Sequence, residues 1–403
     1  MKLVQFGAGN IGRSFIGQIF ARAFWEVVFI DIDSDIIDAL NRRRSYTVEV
    51  KDRIHKTIVV ENVRGVSALD TGKVHDEISE ADIVATSVGQ QALPHIMKPI
   101  AQGLIKRRKL FSDRPLDIII CENMQNAASF FKTALKKELP EDFPFDNSVG
   151  LVETSIGKMV PIMGDREKKS DPLLVYAEAY NTLIVDKMGF KGPIPDIDEL
   201  DPKDNIDAFV DRKLFIHNLG HAILSYTAFV FKKEYRYIWE AAFDSDISAV
   251  TEKAMWESGK ALIKEYPAEF DEKGIGEHIY DLLSRFRNRA LGDTIYRVGR
   301  DLYRKLAPND RLIGALKLCE KNGIEAKNIS FGIAASLFFK AVDENGKMYE
   351  NDLLFHEKEL TRGVEQVLKD ICELDQRPSS LILKYYDLIV SGATLDSLAH
   401  LED

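Results

Sequence analysis

Leu3-Val4-Gln5-Phe6-Gly7-Ala8-Gly9-Asn10-Ile11-Gly12 opens the chain, and the order of its residues decides the fold. A short apolar strand runs into three glycines with the spacing GxGxxG, and an apolar helix from Phe15 to Phe24 follows at once. The three glycines serve different physical ends. Gly7 permits a tight turn, Gly9 lets the backbone approach a pyrophosphate, and Gly12 lets helix and strand pack closely. The helix N-terminus then faces the phosphates with its unpaired N–H groups. A second strand, Glu26-Val27-Val28-Phe29-Ile30-Asp31, ends in an acid at the distance expected for holding ribose hydroxyls. Strand, glycines, helix, strand and acid in this order predict a dinucleotide site made by Phe6, Gly7, Ala8, Gly9, Asn10, Ile11, Gly12 and Asp31. A glycine pattern outside this setting would be an ordinary turn.

Asp31 favours NAD over NADP, because a carboxylate repels a 2′-phosphate and accepts hydrogen bonds from an unmodified ribose. Arg42, Arg43 and Arg44 argue the other way. They stand at the far end of the next helix, where cations suit the helix dipole, and read as structural.

Further along, Tyr46 to Val50 and Thr57 to Val63 read as strands of an insertion. Ala81 to Gly89 reads as a buried strand running into a loop, which puts Ser87, Val88 and Gly89 beside the cofactor. The buried strand Leu116 to Cys121 leads to Glu122-Asn123-Met124-Gln125-Asn126 and another helix, and Val149 to Val160 and Leu173 to Val185 look like further strands. Alternating strands and helices give an α/β class with an N-terminal Rossmann-type, doubly wound parallel sheet. Gly192-Pro193-Ile194-Pro195 marks a boundary. Residues 1–195 are expected to bind NAD. Residues 196–403 carry apolar residues at three- and four-residue spacing and are expected to form a mostly α-helical substrate domain, with the active site in the cleft between the two.

A chain of 403 residues with 45% hydrophobic content can bury two cores. Three scattered cysteines and no metal-ligand spacing among eight histidines point to neither disulfides nor a metal. The net charge of −10 argues against a nucleic-acid partner, yet allows a local basic pocket for a small anion. With no signal peptide and no apolar run that would span a bilayer, the expectation is a cytoplasmic protein without a membrane partner, acting on a small molecule. No heptad run or exposed apolar stripe marks a subunit interface, so the oligomeric state is not read.

The chemistry concentrates in Lys213-Leu214-Phe215-Ile216-His217-Asn218-Leu219-Gly220-His221. On a regular helix, at roughly 100° per residue, Lys213, Asn218 and His221 share an arc of roughly 140°, opposite Phe215, Ile216, Leu219, Ala222 and Ile223. One face packs and the other offers an amine, an amide and an imidazole. The wheel leaves His217 open as well. A lone lysine on a helix is usually a solvated charge; it is the company of Asn218 and His221 that suggests catalysis.

These residues resemble the polyol-specific long-chain dehydrogenases, and most closely their mannitol-phosphate branch. The resemblance runs through Phe6 to Arg13, Cys121-Glu122-Asn123, the Lys-x4-Asn-x2-His block at Lys213, Asn218 and His221, and Arg297-Val298-Gly299-Arg300 continuing to Arg304-Lys305-Leu306 and Asp310-Arg311-Leu312-Ile313. It implies metal-independent hydride transfer with Lys213 as general base, Asn123 and Asn218 as donors to the reacting oxygen, and His221 as a hydroxyl ligand. Asn123 on its own could equally cap a loop. Arg297, Arg300, Arg304, Lys305 and Arg311 become candidates for a substrate phosphate, since guanidinium forks bind phosphate in bidentate fashion. On a predicted helix Arg297, Arg300 and Arg304 share a face at i, i+3 and i+7, which could also be an ordinary charged surface paired with Asp293 and Asp301. One place departs from the family pattern: where relatives carry Asp-Arg, this chain has Gly157-Lys158, which removes a carboxylate near the active site, with Glu153 a possible substitute. Free polyol or sugar-acid dehydrogenases, and a catalytically silent NAD-binding sensor, are the competing readings.

Overall fold

The computed structural model describes all residues other than 53, 162, 165, 166, 168, 169 and 400–403. The chain divides into two compact units, residues 1–210 and 211–403. The division falls later than the proline segment at 193–195 suggests, because a further strand, Leu200–Lys203, pairs with the sheet of the first unit.

Eleven strands are described: β1 (Lys2–Phe6), β2 (Glu26–Asp31), β3 (Ser45–Val50), β4 (Lys56–Glu61), β5 (Val63–Ser67), β6 (Ile83–Thr86), β7 (Leu116–Ile120), β8 (Val149–Ser155), β9 (Val175–Ala177), β10 (Leu183–Asp186) and β11 (Leu200–Lys203). Eight form one sheet in the order β11-β10-β8-β7-β6-β1-β2-β5; β8 and β10 pair antiparallel, and the remaining neighbours pair parallel. The order reverses at β1, which lies between β2 and β6. In a doubly wound sheet the crevice beyond the strand ends at this reversal is where ligands bind. The expected insertion is a second sheet, β4-β3-β9. The expected strand Thr57–Val63 divides at Asn62, which takes a positive φ of 60°, so Val63 starts β5 in the large sheet.

Strand periodicity explains why the sheet is buried on both sides. Leu3, Val27, Phe29, Ala85 and Ile119 face one core, with Phe15, Ile16, Ile19 and Phe20 of the first helix. Val4, Phe6, Val28, Ile30, Val84, Ile118 and Ile120 face the other, beneath helices Thr71–Glu80, Leu93–Leu110 and Ala127–Glu138. Burial on two faces requires the unbroken apolar runs seen in the sequence.

The second unit is helical. Ser245–Glu265, Glu272–Phe286, Ile313–Lys321, Lys327–Ser336 and Gln376–Val390 are its longer helices, besides Leu219–Phe231. The helical stretch expected from Trp239 to Ile263 breaks at Asp244, whose carboxylate accepts the N–H groups of Asp246 and Ile247 and caps a new helix. The continuous helix Ile206–Phe231 is long and apolar enough to cross a bilayer by length and composition, but 67% of its apolar window is buried in the protein, as suits a core helix.

Candidate active site

In the first unit the glycine loop has the construction its spacing implies. Gly7 sits at φ +93°, where a Cβ would lie 2.5 Å from the Ser87 carbonyl oxygen, and a Cβ on Gly12 would overlap the carbonyl of Gly7. Gly9 differs, since a Cβ there would meet no protein atom within 4 Å, which leaves its backbone open to a ligand. Asp31, at the end of β2, accepts the Ala8 N–H on Oδ2 at 2.6 Å and the Asp33 N–H on Oδ1 at 3.0 Å. A carboxylate has about four acceptor sites, so both oxygens keep capacity for ribose hydroxyls. Asn10 and Ile11 lead into the helix, which runs as a wider π-helical turn over Gly12–Gly17 before Gln18–Arg22. Of the cations that would argue for NADP, Arg43 pairs with Asp171 at 2.6 Å. The loop fits a dinucleotide.

Two buried side chains, given no role by sequence reasoning, brace this loop and the neighbouring loop after β6. Arg13 donates from Nε to the Ala8 carbonyl at 2.6 Å and from Nη1 to the Pro172 carbonyl at 2.9 Å. Glu122 accepts the N–H groups of Val88 and Gly89, one on each oxygen, both at 2.9 Å. The loop after β6 is thereby tied to the end of β7, and Ser87 is tied to β1 by its N–H to the Phe6 carbonyl and by Gln5 to its hydroxyl, both at 2.9 Å. Burial raises the Glu122 pKa, opposed by those two N–H donors. The sequence signals were the places of Arg13 and Glu122 in the stretches that carry the resemblance and, for Glu122, its position just after a parallel strand. Asn123, next along, is exposed, and its carbonyl accepts the Gln90 amide at 2.9 Å.

In the second unit Lys213, His217 and Asn218 lie on a π-helical segment, Lys213–Asn218, inside the long helix. The regular wheel therefore needs correcting, because an i→i+5 turn inserts a residue and rotates Lys213 relative to His221; such bulges are frequent at functional sites. Lys213 is partly buried, and desolvation, then Arg311, pull its pKa down to about 8, with Asp310 opposing and Arg304 assisting. Asn218 is half-buried. Burial lowers the His221 pKa to about 4 against the opposing pull of Asp293, with Arg297, Arg311 and Lys305 adding to the fall. His217 is more deeply buried than His221 and burial pushes its pKa far down. Both imidazoles are therefore neutral at ordinary pH. Arg311 acts on Lys213 and His221 alike, so the basic block does come to the helix that carries the amine.

That block is not one helix. Ile295–Gly299 ends at Arg300, Asp301 takes a left-handed φ of 78°, and a new turn, Leu302–Lys305, begins. The shared face expected for Arg297, Arg300 and Arg304 does not form; Asp352, which is buried, accepts the N–H groups of Asp301 and Leu302 and caps the second turn. Arg297 pairs with Asp293, Arg304 with Asp301 at 2.7 Å and Asp310 at 3.5 Å, and Arg311 with Asp310 at 2.7 Å. Lys305 is 3% exposed and donates to the carbonyls of Val298 and Arg300. Arg300 is exposed and lies over the rings of Tyr296 and Tyr349. Among the described residues no His, Cys, Asp and Glu side chains gather in threes as metal ligands.

Residues 1–199 match the family model for the mannitol dehydrogenase Rossmann domain, and residues 205–378 match that for the mannitol dehydrogenase C-terminal domain. The chain belongs to the mannitol dehydrogenase family. Among solved structures it is similar to Pseudomonas fluorescens mannitol 2-dehydrogenase, in a ternary complex with NAD and D-mannitol, with 17% identity, TM-score 0.74, and 100% of this chain and 94% of that one covered. It is also similar to a D-sorbitol dehydrogenase in substrate-free form, with 16% identity, TM-score 0.80, and 98% and 94% covered. At these identities the likeness is one of fold.

The Gly157-Lys158 pair, at the position where the resemblance led to the expectation of Asp-Arg, has a structural role on the lysine side. Lys158 is 7% exposed; its ammonium donates to the carbonyls of Glu178 at 3.2 Å and Tyr180 at 2.7 Å and to Asn181 Oδ1 at 2.9 Å, 5.0 Å from the Phe15 ring centre. Glu153 is engaged elsewhere, accepting the Ala128 N–H at 2.6 Å at the start of a helix. Lys158→Met removes a charged donor from three acceptors in a buried site, and denaturant unfolding is expected to show a loss of about 3 kcal/mol.

Proposed function

We propose that the chain is a mannitol-1-phosphate 5-dehydrogenase, interconverting D-mannitol 1-phosphate and D-fructose 6-phosphate with NAD and without a metal. The observation that carries this reading is a partly buried lysine with its pKa lowered to about 8, on a helix reached by a cluster of arginines, in a chain with a dinucleotide loop. Bound NAD supplies the acceptor for the hydride leaving the alcohol carbon. Neutral Lys213 takes the hydroxyl proton on Nζ, which requires an amine unprotonated near working pH. Asn123 and Asn218 donate N–H to the oxygen as its charge grows, a role an amide fills without titrating. His221 holds a second hydroxyl. Asp31 accepts from the ribose hydroxyls and disfavours a 2′-phosphate.

Phosphate is assigned to Arg297, Arg300, Arg304, Lys305 and Arg311, the least occupied being Arg300, which has no carboxylate pair among the described residues. A second reading, a dehydrogenase of free polyol, is favoured by the carboxylates already pairing Arg297, Arg304 and Arg311, whereas a sugar acid such as fructuronate or tagaturonate would need a cation of the same block for its carboxylate. The test is NADH consumption with fructose 6-phosphate beside fructose, fructuronate and tagaturonate, with NADPH in parallel. Turnover of fructose 6-phosphate with NADH, and little with the others, is the expected result. Turnover of an unphosphorylated sugar or sugar acid alone would retain Lys213 as base and replace the substrate.

A further inference from the structure

Asp293 is 4% exposed and bridges two side chains. One oxygen pairs with Arg297, while Oδ2 stands 3.6 Å from Nε2 of His221. The imidazole is held flat against Phe286, with ring centres 4.8 Å apart and planes 11° from parallel. We propose that Asp293 is a positioning residue for His221, keeping the imidazole proton on Nε2 and so making Nδ1 a hydrogen-bond acceptor for a substrate hydroxyl. This rests on the assignment of His221 as a substrate ligand.

The placement of the carboxylate is built into the fold. The Asp293 carbonyl accepts the Ile238 N–H at 2.9 Å, the Ile295 N–H donates to the Arg236 carbonyl at 2.9 Å, and Tyr237 and Thr294 form an antiparallel bridge between them. The following turn is fastened to the helix of His221: Ser225 Oγ donates to the Ile295 carbonyl at 2.9 Å, and the Tyr226 hydroxyl donates to the Gly299 carbonyl at 2.8 Å. Carboxylate and imidazole thus belong to two elements fastened together through Ser225 and Tyr226, while the chain at Asp293 is held by Arg236, Tyr237 and Ile238.

At 3.6 Å the contact is longer than a hydrogen bond and acts as charge on dipole. A neutral imidazole has one N–H and one lone pair, and the group facing one nitrogen decides which it is. A lone pair on Nε2 would be repelled by Asp293 Oδ2, whereas an N–H is attracted. The other charged groups acting on the ring, Arg297, Arg311 and Lys305, disfavour the doubly protonated form, as does burial, so the choice is between two neutral tautomers. An acceptor at Nδ1 accepts from a hydroxyl and repels a carboxylate. Asp293 therefore favours a polyol over a sugar acid at the position that meets His221.

Nitrogen-15 NMR of the full chain labelled at histidine tests this without any substrate. His221→Gln identifies the His221 signals among those of the eight histidines. The expected wild-type spectrum has Nε2 protonated and Nδ1 bare. In Asp293→Asn, whose amide can offer an N–H to Nε2, the proton is expected to move to Nδ1, and KM for the polyol to rise about tenfold with NADH affinity unchanged. A wild-type His221 protonated on Nδ1 overturns the proposal whether or not the variant folds, as does a folded Asp293→Asn with the wild-type tautomer. Failure of every sugar phosphate as substrate would remove the proposed function and leave the tautomer result standing.

Discussion

Lys213→Met is expected to lower kcat in both directions by roughly 10³- to 10⁴-fold while leaving NADH affinity as it is. Methionine keeps the length and apolar body of the side chain, so the loss reports the amine, and general acid–base catalysis contributes up to about that factor. The wild type should show the titration directly. Alcohol oxidation needs the free amine and is expected to rise as pH climbs through about 8, then level; carbonyl reduction needs the ammonium and is expected to fall over the same range. Desolvation is the largest cause of the lowered pKa and Arg311 the next, so Arg311→Gln should move the inflection upward. Stopped-flow measurement of NADH formation against pH checks both. Turnover of Lys213→Met at the wild-type rate would remove the lysine from the chemistry.

Gly9→Ala and Gly12→Ala are expected to weaken NADH binding by at least a hundredfold, about 2.7 kcal/mol, for different reasons that stability measurements separate. The methyl added at Gly9 meets no protein atom within 4 Å and occupies room the pyrophosphate needs, so the melting temperature should be unchanged. The methyl added at Gly12 overlaps the Gly7 carbonyl, so the loop must move; binding and melting temperature should fall together. Fluorescence titration with NADH and thermal unfolding of the two variants provide the comparison. Tight NADH binding by Gly9→Ala would mean that the cofactor does not approach this loop.

Much of the first unit was legible because it depends on local backbone chemistry. A strand followed by glycines at fixed spacing has few conformations available, and the distinct roles of Gly7, Gly9 and Gly12 follow from which of them can carry a Cβ. Burial on both faces made the inner strands continuous apolar runs, which read without ambiguity. β11 was missed for the opposite reason: Leu200-Asp201-Pro202-Lys203 is polar and contains proline, and pairing with β10 alone makes it a strand at the sheet edge.

In the second unit the sequence by itself placed Lys213, Asn218 and His221 on one helix and marked the arginine block as charged, since residue type and spacing suffice for both. Only the tertiary structure decided how they are used. The π-helical turn at Lys213–Asn218 cannot be seen in a pattern that fits a regular helix equally well. The break at Arg300 and Asp301 is supported by Asp352, a buried carboxylate distant in sequence. Desolvation of Lys213, the clamp of Glu122 on Val88 and Gly89, the burial of Lys158 among carbonyls and the approach of Asp293 to His221 likewise depend on partners brought close only by folding. A pKa or a tautomer is a property of what surrounds a group, and that environment exists only in the folded chain.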